Sequence, residues 1–280
     1  MGGTLYVVGT PIGNLGDMTD RARETLRRVD LVAAEDTRRT GRLLQAFGIR
    51  APLLSLFEGN ERERTERVLA ALREGKDVAL VADAGMPTIS DPGYPLVRAC
   101  AEEGIPVRVV PGPSAVIAAL AVSGLPTDRF IFEGFLPRRA SERRARLRAL
   151  RHDPRTVVIF ESPGRVATLL RDVLVELGDR RAALARELTK LHEEVVRGRT
   201  SEVLATLADH EPKGEIVLVL EGATERERPP IVELVAEARA LVATGMRKRA
   251  AATEVARRHG VPANEIYEAL VRGGGPAMGP

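Results

Sequence analysis

Cysteine is nearly absent: Cys100 is the single one in 280 residues. An intrachain disulfide and a multi-cysteine metal site are both excluded, and a reducing cytoplasm is the expected setting. Histidine is almost as scarce. His152, His192, His210 and His259 are scattered, and none stands at metal-ligand spacing from another, so no metal is expected. No apolar run approaches the roughly 18 residues of a membrane span; the longest, Ala115–Val122, is far shorter. Met1 leads directly into Leu5-Tyr6-Val7-Val8 with no basic region and cleavage site before it, so neither membrane nor secretion is expected. No GxxxxGK[ST] occurs and no GxGxxG follows an apolar run, which disfavours a P-loop nucleotidase and a Rossmann dehydrogenase. GxSxG is also missing, and nucleophilic catalysis has no good candidate.

What is present is ordinary globular composition, 44% apolar and 29% charged with a net charge of +3, not that of a disordered chain. Short Val/Ile-rich runs alternate with amphipathic stretches. Strands are expected at Leu5–Val8, Leu31–Ala34, Leu53–Leu56, Val78–Val81, Val107–Val110, Arg129–Phe132, Thr156–Phe160, Ala182–Ala185 and Ile216–Leu220. Several carry no polar face, as strands buried on both sides should. Helices fit between many of them: Asn60 with Glu63 resembles a capping box for a helix reaching Arg73, with Gly75 at its end. The pattern is α/β with mostly parallel strands. Punctuation at Pro111-Gly112-Pro113 and at Thr224–Pro230 suggests an α/β domain over 1–112, a second over 113–224 and a helical tail over 225–280. In that tail, Ala256 and Gly260 have the spacing of a helix-turn-helix, with Ala250, Val255, Val261, Ile266 and Leu270 as its small core. An ordinary helical hairpin gives the same pattern.

Three loops at strand carboxyl ends carry unusual glycine and proline: Gly9–Asn14, Asp83–Gly93 and Pro111–Ser114. Glycine admits close backbone approach and proline sets the loop in advance. In open α/β sheets ligands bind at that edge, so these loops point to a pocket for a polar small molecule. Acids also stand at strand ends: Glu35-Asp36, Glu133, Glu161 and Glu187. Asp36 has a helix-capping alternative. Lys190 is one of four lysines among 42 basic residues; His192 and Glu193 after it read as exposed helix. From Gly134 to Arg155, arginines at 138, 139, 143, 144, 146, 148, 151 and 155 face only Glu142 and Asp153 in the sequence. Such a cluster suits a polyanionic partner or a solvated helix face. Arg247-Lys248-Arg249 and Arg257-Arg258 could meet phosphates too.

The residues resemble one family in detail. Thr10–Leu15, Ala34–Arg38, Asp83–Gly85 through Ser90–Gly93, Pro111–Pro113, Gly134–Pro137, Glu187–Lys190 and Lys213–Glu215, in this order, look like the branch of the tetrapyrrole methylase superfamily that methylates a cytidine ribose 2′-hydroxyl in small-subunit ribosomal RNA. The resemblance implies the two-domain class III methyltransferase fold, S-adenosylmethionine as cofactor and a homodimer. It implies cofactor contacts at Pro11, at Asp83, Ala84, Gly85, Met86, Pro87 and Ile89, at Ser114 and Ala115, and at Phe160 and Glu161. Further contacts are implied at Ala185 and Arg186 and at Gly214, Glu215 and Ile216. Glu35, Asp36 and Lys190 are the candidates for handling the hydroxyl proton. Arg38, Arg138, Arg139, Arg143, Arg144, Arg148, Arg247, Lys248 and Arg249 are the candidates for contacting RNA. Leu56–Glu61 lacks the histidines the family often has there, and Met86 and Gly164 replace its usual Thr and His. Two other readings use the same features: a tetrapyrrole C-methyltransferase on this fold, and a non-catalytic nucleic-acid-binding regulator acting through the tail.

Overall fold

A computed structural model describes residues 2–207, 212–223 and 230–272. His210, the boundary stretch at 224–229 and the tail at 273–280 lie outside them. Residues 1–222 form one compact unit and 223–280 another.

The first unit contains two sheets. β1 (Leu5–Val8), β2 (Leu31–Ala34), β3 (Leu53–Ser55), β4 (Val78–Val81) and β5 (Val107–Val110) pair in the order β3-β2-β4-β1-β5, all parallel. Their carboxyl ends therefore share one edge, which collects the three Gly/Pro loops. α1 (Asp20–Arg28), α2 (Thr37–Ala46), α3 (Glu61–Arg73) and α4 (Tyr94–Glu102) connect them. Both faces of the central strands are buried, one under Met18, Ala22, Leu26 and Leu44, the other under Val68, Leu69, Leu72 and Leu96, while Val107 and Val109 of the edge strand β5 are exposed. This is why the strands read as continuous apolar runs. Cys100 is buried in α4.

The second sheet has the order β6-β7-β10-β8-β9, built from β6 (Phe130–Phe135), β7 (Thr156–Glu161), β8 (Arg181–Arg186), β9 (Glu194–Arg199) and β10 (Ile216–Leu220). Only β6 and β7 are parallel; β10 runs against β7 and β8, and β9 against β8. The expectation of mostly parallel strands fails for this sheet. β9 was not expected at all. It is an edge strand with apolar Val195 and Val196 between charged residues, the composition that keeps an edge from pairing with other chains. His192 and Glu193 belong to the exposed turn before it, not to a helix. α5 (Ala115–Ser123), capped by Ser114, lies on one face; its Val116, Ala119 and Leu120 meet Val158, Ala183, Val217 and Val219. On the other face lie α6 (Ala140–Ala149), α7 (Pro163–Leu177) and α8 (Thr200–Thr206).

Four of the eight clustered arginines sit on α6, and the acids that balance these four come from outside the stretch. Arg143 is buried, and its guanidinium pairs with Asp172 of α7 at 2.6 Å and donates to the Arg138 carbonyl at 3.0 Å. Arg144 shares Asp172, Arg148 reaches Glu176, and Arg146 reaches Glu133. Burial opposes ionisation of Asp172, but its bonds to Arg144 and Arg143 outweigh that and hold its carboxyl below the ordinary value. Arg143 is therefore a packing residue rather than an RNA contact. Truncating one partner of such a pair leaves an uncompensated buried charge. Asp172→Ala is expected to lower stability by about 3–5 kcal/mol. Urea denaturation checks this; a change under about 1 kcal/mol would mean that water already screens the pair.

Asn60 precedes α3 without the expected capping box. Its Oδ1 accepts from the Phe57 backbone N–H at 2.9 Å, and its amide donates to the Ser55 carbonyl at 3.3 Å. The side chain folds backward to close the turn. Gly75 does follow the helix end with φ 88°.

The second unit packs α9 (Ile231–Ala243), α10 (Lys248–His259) and α11 (Ala263–Arg272) around Leu234, Ala238, Val255, Val261, Ile266 and Leu270. Gly260 makes the left-handed turn between α10 and α11. Ala250 is exposed, and Ala251 and Ala252 take the core positions expected of it. Arg257 pairs with Glu254, and Arg258 with Glu254 and Glu237, so both are less available to phosphates. Arg247, Lys248 and Arg249 are exposed at the start of α10.

Candidate functional site

The loops after β1, β4 and β5 are held together before any ligand is considered. Thr10 and Gly85 exchange backbone hydrogen bonds at 2.9 and 3.1 Å. Gly9 and Gly112 touch so closely that a Cβ on Gly9 would stand 2.6 Å from the Gly112 nitrogen. Only glycine permits this crossing. Thr88 and Ser90 have φ of 74° and 64°, and Glu187 and Thr189 have 51° and 69°. Left-handed backbone outside glycine costs energy and concentrates at working sites. Here it marks the loops after β4 and β8.

Between the loops of the first sheet and the edge of the second lies a cavity of about 370 Å³. Ala84, Gly85, Met86, Ile89, Ser114, Ala115, Phe160, Glu161, Gly214, Glu215 and Ile216 line it. All are residues the resemblance implies for the cofactor, drawn from four separate segments. β10 contributes because it is antiparallel: Ile216 pairs with Glu161 of β7 and with Arg186 of β8, so the amino end of β10 meets the carboxyl ends of its neighbours. Pro11 and Asp83 line a second, adjoining cavity instead. Pro87 lines neither cavity. Ala185 is buried within β8, and Arg186 pairs with Glu194 at 2.9 Å.

The cavity is also lined by residues outside the implied cofactor contacts: Ile12, Ser90, Asp91, Val116, Phe135, Ser162, Pro163 and Val217. Phe135 arrives through a bulge in β6, where the register shifts between Phe132 and Phe135 around Gly134 at φ 62°. A bulge re-aims the side chain that follows it. Phe135 thereby packs edge-on against Phe160, centroids 5.6 Å apart.

The cavity's charge is acidic. Glu161 is buried; its Oε1 accepts from the Ser162 N–H at 2.8 Å, and its Oε2 has Arg165 at 3.1 Å but no aligned hydrogen bond. Asp91 is pushed up to about 7 by burial and by the charges of Glu35 and Asp83. Its folded value lies above the ordinary 3.8, so native protein holds this proton more tightly than unfolded chain does. The stabilisation is fully present below about 3.8 and is lost progressively as pH rises from there to about 7. Asp91→Asn is expected to flatten the fall in Tm between about pH 4 and 7. Equal pH slopes in both proteins would contradict this.

Of the candidate proton-handling residues, Glu35 and Asp36 leave β2 beside Asp83. The Asp83 N–H donates to Glu35 Oε2 at 3.3 Å, and the Asp36 N–H to Asp83 Oδ1 at 3.1 Å. Burial raises Glu35 above its usual value. Asp36 caps α2, accepting from the Arg38 N–H at 2.8 Å, and binds the Arg38 guanidinium, which holds its carboxyl far below the usual range. That makes Asp36 a poor base and draws Arg38 back onto its own helix end. Lys190 pairs with Glu187 at 2.9 Å and Glu215 at 3.3 Å. Burial works against its charge, but the Glu187 hydrogen bond and the Glu215 charge prevail and raise it above the usual lysine value. It is a fixed cation. A Cβ on Gly13 would lie 2.4 Å from Lys190 Cγ, so the side chain rests on the loop after β1. Arg138 and Arg139 are exposed at the start of α6.

No helix among the described residues is long and apolar enough to cross a membrane, and none of their His, Cys, Asp and Glu clusters could hold a metal ion.

Residues 4–204 match the tetrapyrrole (corrin/porphyrin) methylases. The ribosomal RNA small subunit methyltransferase I of Thermotoga maritima is 55% identical over 79% of this chain and 99% of its own length. The proteins of that name from Synechocystis and Escherichia coli O157:H7 are each 48% identical over 95% of this chain, covering 96% and 94% of their own lengths. Among solved structures, the methyltransferase CobJ aligns with a TM-score of 0.60 at 19% identity, over 80% of this chain and 96% of its own. Uroporphyrin-III C-methyltransferase from Thermus thermophilus, solved with S-adenosylhomocysteine, aligns at 0.55 and 21% identity over 78% and 97%. At such identities the two structures establish a shared fold.

Proposed function

Because this chain belongs to the tetrapyrrole methylase family, in the branch of ribosomal RNA small subunit methyltransferase I, we propose that it methylates a cytidine ribose 2′-hydroxyl in the decoding centre of 16S ribosomal RNA. S-adenosylmethionine is the donor, and the enzyme works in the cytoplasm as a homodimer. The observation that carries the reading is the cavity at the strand edge, where segments far apart in sequence converge on an apolar, acid-bearing pocket.

The lining suits that donor. Ile12, Met86, Val116, Phe160 and Ile216 offer apolar surface to a nucleoside, and Asp91, Glu161 and Glu215 offer negative charge to a cation. Glu161 Oε2 is buried with an acceptor position unused. The backbone of Ala84–Ile89 and of Gly214–Ile216, with Ser114, Ala115 and Glu161, would hold it. When bound, S-adenosylmethionine supplies a methyl group already activated by positive sulfur. The protein's main task is then alignment. Lys190 Nζ, kept positive by Glu187 and Glu215, stabilises negative charge developing on the ribose oxygen. Asp91, whose carboxyl is raised by burial and by the charges of Glu35 and Asp83, is a better proton acceptor than Asp36, which is tied up by Arg38.

Transfer of labelled methyl groups to purified small ribosomal subunits lacking the modification, compared with uroporphyrinogen, tests the reading. Label is expected in the RNA, in a nucleotide resistant to alkaline cleavage, as a methylated 2′-oxygen must be. Label in uroporphyrinogen alone would assign the chain to the tetrapyrrole reaction instead.

A further inference from the structure

We infer that the second cavity, beside the donor's, seats a backbone phosphate of the RNA next to the nucleotide being methylated, with Arg39 and Arg42 as its cationic ligands. This rests on the proposed RNA substrate and adds the subsite that positions it.

The second cavity measures about 310 Å³ and is lined by Pro11, Gly13, Arg39, Arg42, Leu43 and Asp83, among others. It shares its walls with the first. Along the loop after β1, Pro11 and Gly13 face the second cavity while Ile12 faces the first. Along the loop after β4, Asp83 faces the second while Ala84, Gly85 and Met86 face the first. The Thr10–Gly85 hydrogen bonds clasp these loops into one partition. Two ligands on its two sides would therefore be separated by this one wall.

The charges on the two sides are opposite. The first cavity is lined by Asp91, Glu161 and Glu215 and by no Lys or Arg. The second has Arg39 and Arg42, three residues apart and so on one face of α2. Its one acid, Asp83, is already paired with Arg39 at 3.2 Å. Arg42 is exposed and makes no hydrogen bond or ion pair with any described residue. Lys190 stands where the sides adjoin: it lies against Gly13, which lines the second cavity, and pairs with Glu215, which lines the first. A positive donor and a polyanionic acceptor are thus sorted by charge to opposite sides of one wall, with a fixed cation at the crossing. Guanidinium groups are well matched to phosphate oxygens.

The test is steady-state methyl transfer to purified small ribosomal subunits by the full-length protein. Wild type, Arg42→Ala, Arg39→Ala/Arg42→Ala and Arg42→Lys are compared over a range of potassium chloride, with S-adenosylmethionine affinity measured by calorimetry. The double variant is expected to raise KM for the subunits about tenfold or more with little change in kcat or donor affinity. The slope of log KM against log salt should become shallower by about 1–2, as for one or two lost phosphate contacts. Arg42→Lys should recover most of the loss. Unchanged KM and salt slope in the double variant, with wild type active, would overturn the subsite alone. A matching loss of donor affinity would also overturn it, assigning the cavity to the donor. No transfer by wild type would overturn the RNA reading and the subsite with it.

Discussion

Gly85→Leu is expected to weaken S-adenosylmethionine binding by about a hundredfold or more, equivalent to about 2.7 kcal/mol, while leaving the protein folded. Gly85 has φ 78°, and a Cβ there would meet Ile12 Cγ2 at 3.4 Å and Pro113 O at 3.5 Å. Those contacts are tolerable, so the chain can still fold. The left-handed backbone is strained for leucine by about 1–2 kcal/mol, and the rest of the side chain must enter the cavity that Gly85 lines. Calorimetry with the donor, alongside circular dichroism, reads both effects. Undiminished affinity would place the donor elsewhere. Asp83→Ala makes the contrast: Asp83 faces the second cavity and holds Arg39, so donor affinity should change only modestly.

Lys190→Ala is expected to lower kcat by about 10²–10³-fold, the usual effect of removing one preorganised group that stabilises a developing oxyanion. The donor's affinity should change far less, because Lys190 itself does not line the donor cavity. Lys190→Arg retains the charge between Glu187 and Glu215 and should recover part of the rate. A purely architectural lysine, tying the loop after β8 to the one before β10, would instead lower thermal stability and donor affinity together with rate. Unchanged kcat in Lys190→Ala would remove it from the chemistry.

The fold's strand positions were legible because buried strands are written in short Val/Ile runs: β1, β2, β4, β5 and β10 fall where the sequence puts them. Strand direction was not, since a strand buried on both faces looks the same whichever way it runs. β10 is antiparallel to both neighbours, and nothing in Ile216–Leu220 signals it. β9 was hidden by the charges that protect an edge. The arginine cluster misled for a related reason. Asp172 and Glu176, which pair with three of its arginines, lie 28 or 29 residues beyond them, outside any local count of charge. At the site, glycine and proline revealed the loops but not the direction each residue faces. Ile12 and Pro11 are neighbours in sequence and line different cavities. Asp91 belonged to a conspicuous loop, yet its environment depends on Glu35, brought close by the β2–β4 pairing, as well as on Asp83 of its own loop.

Whether the acid-bearing cavity holds the methyl donor is decided by a crystal structure of the protein with S-adenosylhomocysteine. The nucleoside is expected against Ala84–Ile89, Ser114, Phe160, Glu161 and Gly214–Ile216. A ligand found instead beside Arg39 and Arg42, or a cavity closed over by Met86 and Phe135 with the ligand absent, would contradict this placement.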